Sequence, residues 1–317
     1  MPISASFPVM DQLNDWGPNG SDCSSPQDAI QYCRDLAVRH AENFSVLSRF
    51  VPDRLVDGIA ALYAFCRWCD DLADETGDPQ RSLELLGWWR TELHDCFSGR
   101  TRHPVFVALR TAIVEYELDE QPFHDLLDAF EGDQHRNRYA AWSDLTDYAR
   151  GSANPVGRIV LSMAGEPCTD AQLAASDALC TALQLTNLWQ DVRRDLVERD
   201  RIYLPRDLHD IPDFESRLQR TVRDGRAPDP DFLELYRDLV RDCVDRTLPL
   251  YEQGHRLLAM TAAELRPMLW LFHAGGFAVL RAIRSCNHET CLMRPRLGLV
   301  AKGILLLRAR RRAGGAT

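Results

Sequence analysis

The chain has 317 residues, 45% hydrophobic and 26% charged, with 18 Gly and 17 Pro, an ordinary globular composition that excludes disordered, collagen-like and disulfide-stapled classes. No uninterrupted apolar run reaches the roughly 20 residues that a membrane-spanning helix needs, and no Lys or Arg precedes Arg34, so the start lacks the basic segment of a secretory signal. The net charge of −10 argues against nucleic acid as a partner, but it is uneven: seven basic residues (Arg294, Arg296, Lys302, Arg308, Arg310, Arg311, Arg312) and no acid lie from Arg294 onward, leaving 30 basic against 47 acidic residues before them.

Residues 1–24 lack apolar periodicity and contain Gly17-Pro18-Asn19-Gly20, which reads as a loose leader. Ser25, Pro26 and Asp28 then have the order of an N-cap, a first-turn proline and a third-position acid, opening a helix. Pro52 opens the next, which runs to about Glu75. Asp78-Pro79 precedes a helix over about 80–97, and Pro104 and Pro122 punctuate two more. A helix from Ser143 is interrupted at Asn154-Pro155, where the proline removes a backbone donor. A long helix covers about 170–198; residues 199–230 are charged and Pro-rich; helical patterns return at about 231–263, 265–288 and 295–312. Alternating strand patterns and repeats of 20–50 residues are missing. The expectation is an all-α protein with a helical domain over 25–293 and a basic tail over 294–317. The ten cysteines sit mostly inside apolar helical segments, as reduced, buried thiols of a cytosolic protein do, and the Cys66/Cys69 pair has no partner pair at zinc spacing.

Two of these helices carry carboxylates where an apolar stripe is expected. In the helix from Pro52, the residues Ile59, Tyr63, Cys66/Arg67, Asp70 and Asp74 share one face. Asp70, Asp71, Asp74 and Glu75 crowd its C-terminal end, where the helix dipole disfavours negative charge; a cation would relieve them. In the helix from Asp170, the residues Asp177, Cys180, Gln184, Asn187 and Asp195 lie within about 40° of Asp191 at 100° per residue, between Leu185, Leu188, Val192 and Leu196 on one side and Leu179 and Leu183 on the other. A narrow polar stripe with apolar surface on both sides belongs to an interior helix facing a polar cavity. Carboxylates gathered there repel one another and raise one another's pKa, a conflict that divalent cations remove. Mg²⁺ is typically held by one or two carboxylates plus phosphate oxygens, so paired DxxxD motifs suit a diphosphate gripped through metal. Asn187 adds a neutral oxygen, while Arg67 and Arg201 are bidentate donors for the diphosphate.

These residues resemble the squalene/phytoene synthase family. Tyr63-x-x-x-Arg67-x-x-Asp70-x-x-x-Asp74 is similar to the family's first aspartate-rich motif. Gln184-x-x-Asn187-x-x-x-Asp191-x-x-x-Asp195, followed by Arg201-Ile-Tyr-Leu-Pro205, is similar to its second. Tyr148, ahead of Gly151-Ser-Ala-Asn-Pro-Val-Gly157, resembles the family tyrosine that precedes a small-residue kink. The resemblance covers roughly residues 30–290 and implies a single-domain, class I isoprenoid-synthase-like helical fold with a central cavity. It implies Asp70, Asp74, Asn187, Asp191 and Asp195 as Mg²⁺ ligands, Arg67, Arg201 and Gln184 on the substrate diphosphate, and Tyr63 and Tyr148 in catalysis.

Within the family, His40-Ala-Glu42-Asn43-Phe44 and Asn154-Pro-Val-Gly157 are most similar to the bacterial hopanoid-pathway branch. That likeness implies ionisation of presqualene diphosphate, cation rearrangement and quenching by water to give hydroxysqualene. Relatives that make squalene or phytoene carry a base where this chain has Ala41-Glu42, which argues against use of two diphosphate substrates; Gln190 stands where many relatives have Arg. Glu42 and Tyr148 are the candidates for the base that directs water. The alternatives are presqualene diphosphate/squalene synthesis, phytoene/dehydrosqualene synthesis and, in a different class, a non-catalytic helical scaffold. The Leu-rich basic tail fits either a terminal packed helix or an anionic membrane surface, which would place a cytoplasmic protein on the inner face of the membrane. His135, His255 and His273 read as isolated packing or surface residues.

Overall fold

The computed structural model describes residues 9–23, 25–40, 50–226 and 229–314. The protein is all-α, and its chain divides into two compact units, one formed by residues 1–135 and 155–168, the other by 136–154 and 169–317.

The first unit contains α1 (Pro26–His40), α2 (Val56–Asp74), α3 (Pro79–Phe97), α4 (Pro104–Tyr116) and α5 (Gln121–Gly132), and most of α7 (Asn154–Met163). Ser25 caps α1, its Oγ accepting from the Asp28 N–H at 3.2 Å, and Asp78 caps α3 by accepting from the Gln80 N–H at 3.0 Å. α2 is central and packs against α1, α3, α4 and α5. Its Phe65 and Trp68 enter an aromatic core with Trp89, Phe106 and Phe123; the Trp68 and Trp89 rings stack with centroids 5.0 Å apart. His103 is buried edge-on to both indoles, caps α4 through Nδ1, and is held well below the ordinary histidine pKa by burial. The stretch expected to be loose is anchored where it is described. Residues Val9–Gln12 form a 3₁₀ turn, the Val9 N–H donates to Asp71, and buried Gln12 accepts from the Tyr32 hydroxyl. A turn this short has no periodicity to detect, and its attachments lie 62 and 20 residues away in the chain.

The second unit is built on α8 (Asp170–Arg199), which packs against α6 (Trp142–Ser152), α10 (Pro230–His255) and α11 (Arg266–Ser285). A capping box starts α8: Thr169 Oγ1 accepts from the Gln172 N–H, and Gln172 Oε1 accepts from the Thr169 N–H. Two glycines allow its close packing. A Cβ on Gly254 would stand 2.8 Å from Leu179 Cβ, and one on Gly276 would stand 2.3 Å from both Leu183 and the Tyr251 hydroxyl. α9 (Phe214–Asp224) lies inside the charged stretch where no helix was expected. Only Phe214, Leu218, Thr221 and Val222 are buried on it, a stripe too narrow to stand out among Arg and Glu. α12 (Leu299–Gly314) packs against α11, with Ala309 buried and the Arg312 guanidinium 4.9 Å from the centre of the Trp270 ring. His255 and His273 are not isolated: their ring centroids are 4.8 Å apart, and His273 Nε2 lies 3.0 Å from the Tyr251 carbonyl oxygen.

Candidate active site

In α2 the stripe of Ile59, Tyr63, Cys66, Arg67, Asp70 and Asp74 is partly accessible, whereas nearly every other residue from Gly58 to Ala73 is buried. The helix therefore offers one narrow face, apolar at its start and acidic at its end. Arg67 lies between the carboxylates, with Nη1 3.3 Å from Asp70 and Nη2 paired with Asp71. Its Nε is a buried donor with no hydrogen-bond partner among the described residues. Sequence reasoning missed Asp71, the most buried of the four acids, although its i+4 spacing from Arg67 was a signal. Burial pushes the Asp71 carboxyl up to about 6 against the opposing pull of Arg67 and of the Val9 N–H. Burial also pushes the Tyr63 hydroxyl up to about 12, Arg67 opposing and Asp70 and Asp71 adding to the rise. The thiols of Cys66 and Cys69 are driven up by burial in the same way, a packing role rather than a reactive one.

The second stripe divides differently. Asp177, Cys180 and Gln184 are half-buried and Asn187 is exposed, while Leu179, Thr181, Ala182, Leu185, Thr186 and Leu188 on either side are buried. One and two turns beyond Asn187, Asp191 and Asp195 are buried at 4% and 8% exposure. Burial, and then the charge of Asp191 one turn away, push the Asp195 carboxyl up to about 7; Arg199, Arg194 and Arg201 pull against them. Asp191 is gripped by Arg294, whose Nε pairs with Oδ1 and whose Nη2 donates to Oδ2 at 2.9 Å. No sequence signal joins these residues, which are 103 positions apart, and by composition Arg294 belongs with the basic tail.

At the end of α8, Asp200 turns into the left-handed region (φ 50°) and the Arg201 N–H donates to the Asp195 carbonyl at 3.0 Å. This turn carries the following residues alongside residues 137–140: the Ile202 N–H donates to the Asn137 carbonyl and the Arg206 N–H to the Tyr139 carbonyl. Tyr203 is thereby stacked on Tyr139 and on half-buried Tyr148, with centroids 5.4 and 5.6 Å away. Tyr148 is held by ring contacts on the same unit as the second motif. Ser152, one turn beyond it, has a buried Oγ without a hydrogen-bond partner among the described residues. Glu42 lies outside the described residues.

Among the described residues no group of three or more His, Cys, Asp and Glu side chains is gathered tightly enough to hold a metal alone. The donor set nevertheless fits Mg²⁺, which keeps waters and phosphate oxygens and takes one or two carboxylates from protein. Buried Asp191 and Asp195 are such a pair, and burial together with the neighbouring Asp191 charge pushes the Asp195 carboxyl up to about 7.

An all-α fold carrying two narrow acidic faces, each with arginine beside the carboxylates, defines a prenyl-diphosphate-processing class of protein. The pattern of the squalene/phytoene synthase family matches residues 37–300, and the chain belongs to that family. Its members act on prenyl diphosphates and generally depend on a divalent metal. The chain is 42% identical to hydroxysqualene synthase of Rhodopseudomonas palustris over 170 residues, 53% of this chain and 56% of that one. It is 29% identical to 15-cis-phytoene synthase of Synechocystis sp. over 295 residues, 89% of this chain and 84% of that one. The squalene synthase HpnC of Alicyclobacillus acidocaldarius has a similar crystal structure, with TM-score 0.71, 39% identity and coverage of 83% of this chain and 95% of that one. Among the described residues no helix is long and apolar enough to cross a membrane.

Proposed function

We propose that the protein ionises presqualene diphosphate and captures the rearranged cation with water, giving hydroxysqualene and diphosphate, with residues 25–293 as the catalytic domain. The observation that carries this reading over phytoene synthesis is identity: 42% to a hydroxysqualene synthase against 29% to a phytoene synthase, even though the second match is longer. The base-to-Glu42 change noted in the sequence points the same way, toward one diphosphate-bearing substrate.

In this reading Arg67, Arg201 and Gln184 bind the diphosphate, Arg67 from the partly accessible face that it shares with Asp70. Asp70, Asp74, Asn187, Asp191 and Asp195 are the residues that would hold Mg²⁺, which when bound would supply positive charge to stabilise the leaving diphosphate. Tyr63, which burial keeps protonated, offers a neutral hydroxyl close to the acidic end of its stripe. Tyr148, fixed in its aromatic stack, offers an electron-rich face to the cation. When water adds to the carbocation, its extra proton must pass to a base; Glu42 and Tyr148 are the candidates. Purified protein with Mg²⁺ and presqualene diphosphate in H₂¹⁸O tests the reading: ¹⁸O in a C30 alcohol supports it. Squalene formed only with added NADPH, or presqualene diphosphate formed from farnesyl diphosphate, overturns it.

The proposed product is a long, largely apolar C30 alcohol, and α12 offers a surface suited to the lipid phase such a molecule enters. Val300, Ile304 and Leu307 are exposed along one face beside exposed Leu299, while buried Ala309 lies opposite. Arg308, Arg310 and Arg311 are exposed on the same helix. The occupant we infer is an anionic bilayer on the cytoplasmic side, each basic residue near it contributing about 1 kcal/mol. Ile304→Ser with Leu307→Ser should lower sedimentation with phosphatidylglycerol vesicles. Unchanged sedimentation would leave α12 a packed terminal helix.

A further inference from the structure

The second acidic motif already holds a cation of its own. Asp191 is almost wholly buried, and the Arg294 guanidinium takes both of its oxygens. A buried carboxylate without such a partner would be strongly disfavoured. The pairing also uses the lone pairs that a metal ion would use.

Arg294 is carried on an arm fixed on both sides. Before it, Glu289 is buried and paired with Arg226 and Arg237, and Thr290 Oγ1 lies 2.8 Å from the Tyr236 hydroxyl. After it, the Pro295 carbonyl accepts from Gln190 Nε2, the neighbour of Asp191 in α8. Gln190 is the position at which the sequence departs from many relatives, which have Arg. In this chain a guanidinium reaches Asp191 from Arg294, and Gln190 seats the backbone that presents it. With the arm fixed, a change of partner needs only side-chain rotation, and Arg294 is about one-third exposed, open toward solvent on one side. A planar guanidinium matches a diphosphate's paired oxygens as well as it matches a carboxylate.

We propose that Arg294 is a resident counter-ion that changes partner during loading: it neutralises Asp191 in the metal-free protein, then yields that carboxylate to the incoming cation and turns onto the diphosphate. The proposal rests on Asp191 being a metal ligand. It differs from a fixed structural ion pair in the sign of what its removal does to metal affinity.

The test uses full-length protein, Mn²⁺ as the metal probe and inorganic diphosphate, followed by the electron spin resonance of free Mn²⁺ and by calorimetry. The wild type must bind Mn²⁺ together with diphosphate, and Asp191→Asn must weaken that binding. If either fails, the assignment of the second motif fails, and this proposal with it. Given both, Arg294→Gln should bind Mn²⁺ alone several-fold more tightly than wild type and bind diphosphate in the presence of Mn²⁺ roughly tenfold more weakly, the loss expected for one charge-assisted contact. Its melting temperature should fall in EDTA by more than it falls with Mn²⁺ and diphosphate present. Weaker or unchanged Mn²⁺ binding, with equal melting losses in both conditions, would overturn the exchange and leave a static pair. Gln190→Ala keeps the guanidinium and loosens only its seat, so it serves if Arg294→Gln does not fold: Mn²⁺ affinity should rise, by less, and no rise would likewise overturn the proposal.

Discussion

The two acidic helices have the same spacing of carboxylates and neutralise them by opposite means. In α2 the motif pair, Asp70 and Asp74, lies on the accessible stripe, and the buried charge is the off-stripe Asp71, paired with Arg67 on the same helix and with the nearby-packed Val9 N–H. In α8 the motif pair itself is buried; Asp195 has Arg199 of the same helix 3.9 Å away, but the bidentate partner of Asp191, Arg294, arrives from far along the chain. Under the proposed assignment, the α2 carboxylates that meet ligand are distinct from the carboxylate that is buried in the fold, whereas in α8 one residue, Asp191, is assigned both parts.

The largest expected effect breaks that contrast at two neighbouring positions. Asp70→Asn should reduce turnover by on the order of 10²–10³-fold and leave the urea midpoint almost unchanged. Asp71→Ala should do the reverse in kind, lowering stability by about 3 kcal/mol because it strands part of a buried ion pair. Urea unfolding followed by circular dichroism, beside a product assay, reads both. If Asp70→Asn unfolds the protein or Asp71→Ala leaves its stability intact, the division of labour in α2 is wrong.

Asp191→Asn sharpens the comparison from the other helix. Here loss of turnover on the order of 10²–10³-fold should come with a measurable loss of stability, since the variant leaves Arg294 facing a neutral amide. A stability identical to wild type would show that the Arg294 pair contributes nothing to the fold.

The order of helices was legible because its signals are local. Ser25, Asp78 and the prolines at 26, 79, 104 and 155 set helix starts within a few residues, and i, i+3/i+4 spacing placed both stripes on single faces of their helices. What escaped was non-local or compositionally masked. α9 buries too few apolar residues among its charges, and Val9 is tied to Asp71 by a single backbone donor. Arg294 looked like one of seven tail cations because nothing in its neighbours encodes a partner 103 residues earlier. Spacing gives the angle of a side chain around its own helix. It does not give the depth of that face, so Asp70 and Asp191 look alike in sequence and differ in burial.

The smallest effect concerns how the helices start. α8 has the Thr169/Gln172 box, whereas α2 follows a 3₁₀ turn and has no side-chain cap at Leu55. Thr169→Ala removes one acceptor from a helix end and should cost about 1 kcal/mol. At 1.5 Å per residue Thr169 is about 27 Å along the axis from Asn187, and between them Ala175, Ala178, Leu179, Ala182 and Leu185 are buried. Packing along those intervening turns, rather than the cap, holds the register of the motif, so turnover per folded molecule should equal that of wild type while the urea midpoint falls. A parallel loss of turnover would mean that α8 moves as a rigid rod from its first turn, and that the buried positions between cap and motif do not anchor the stripe.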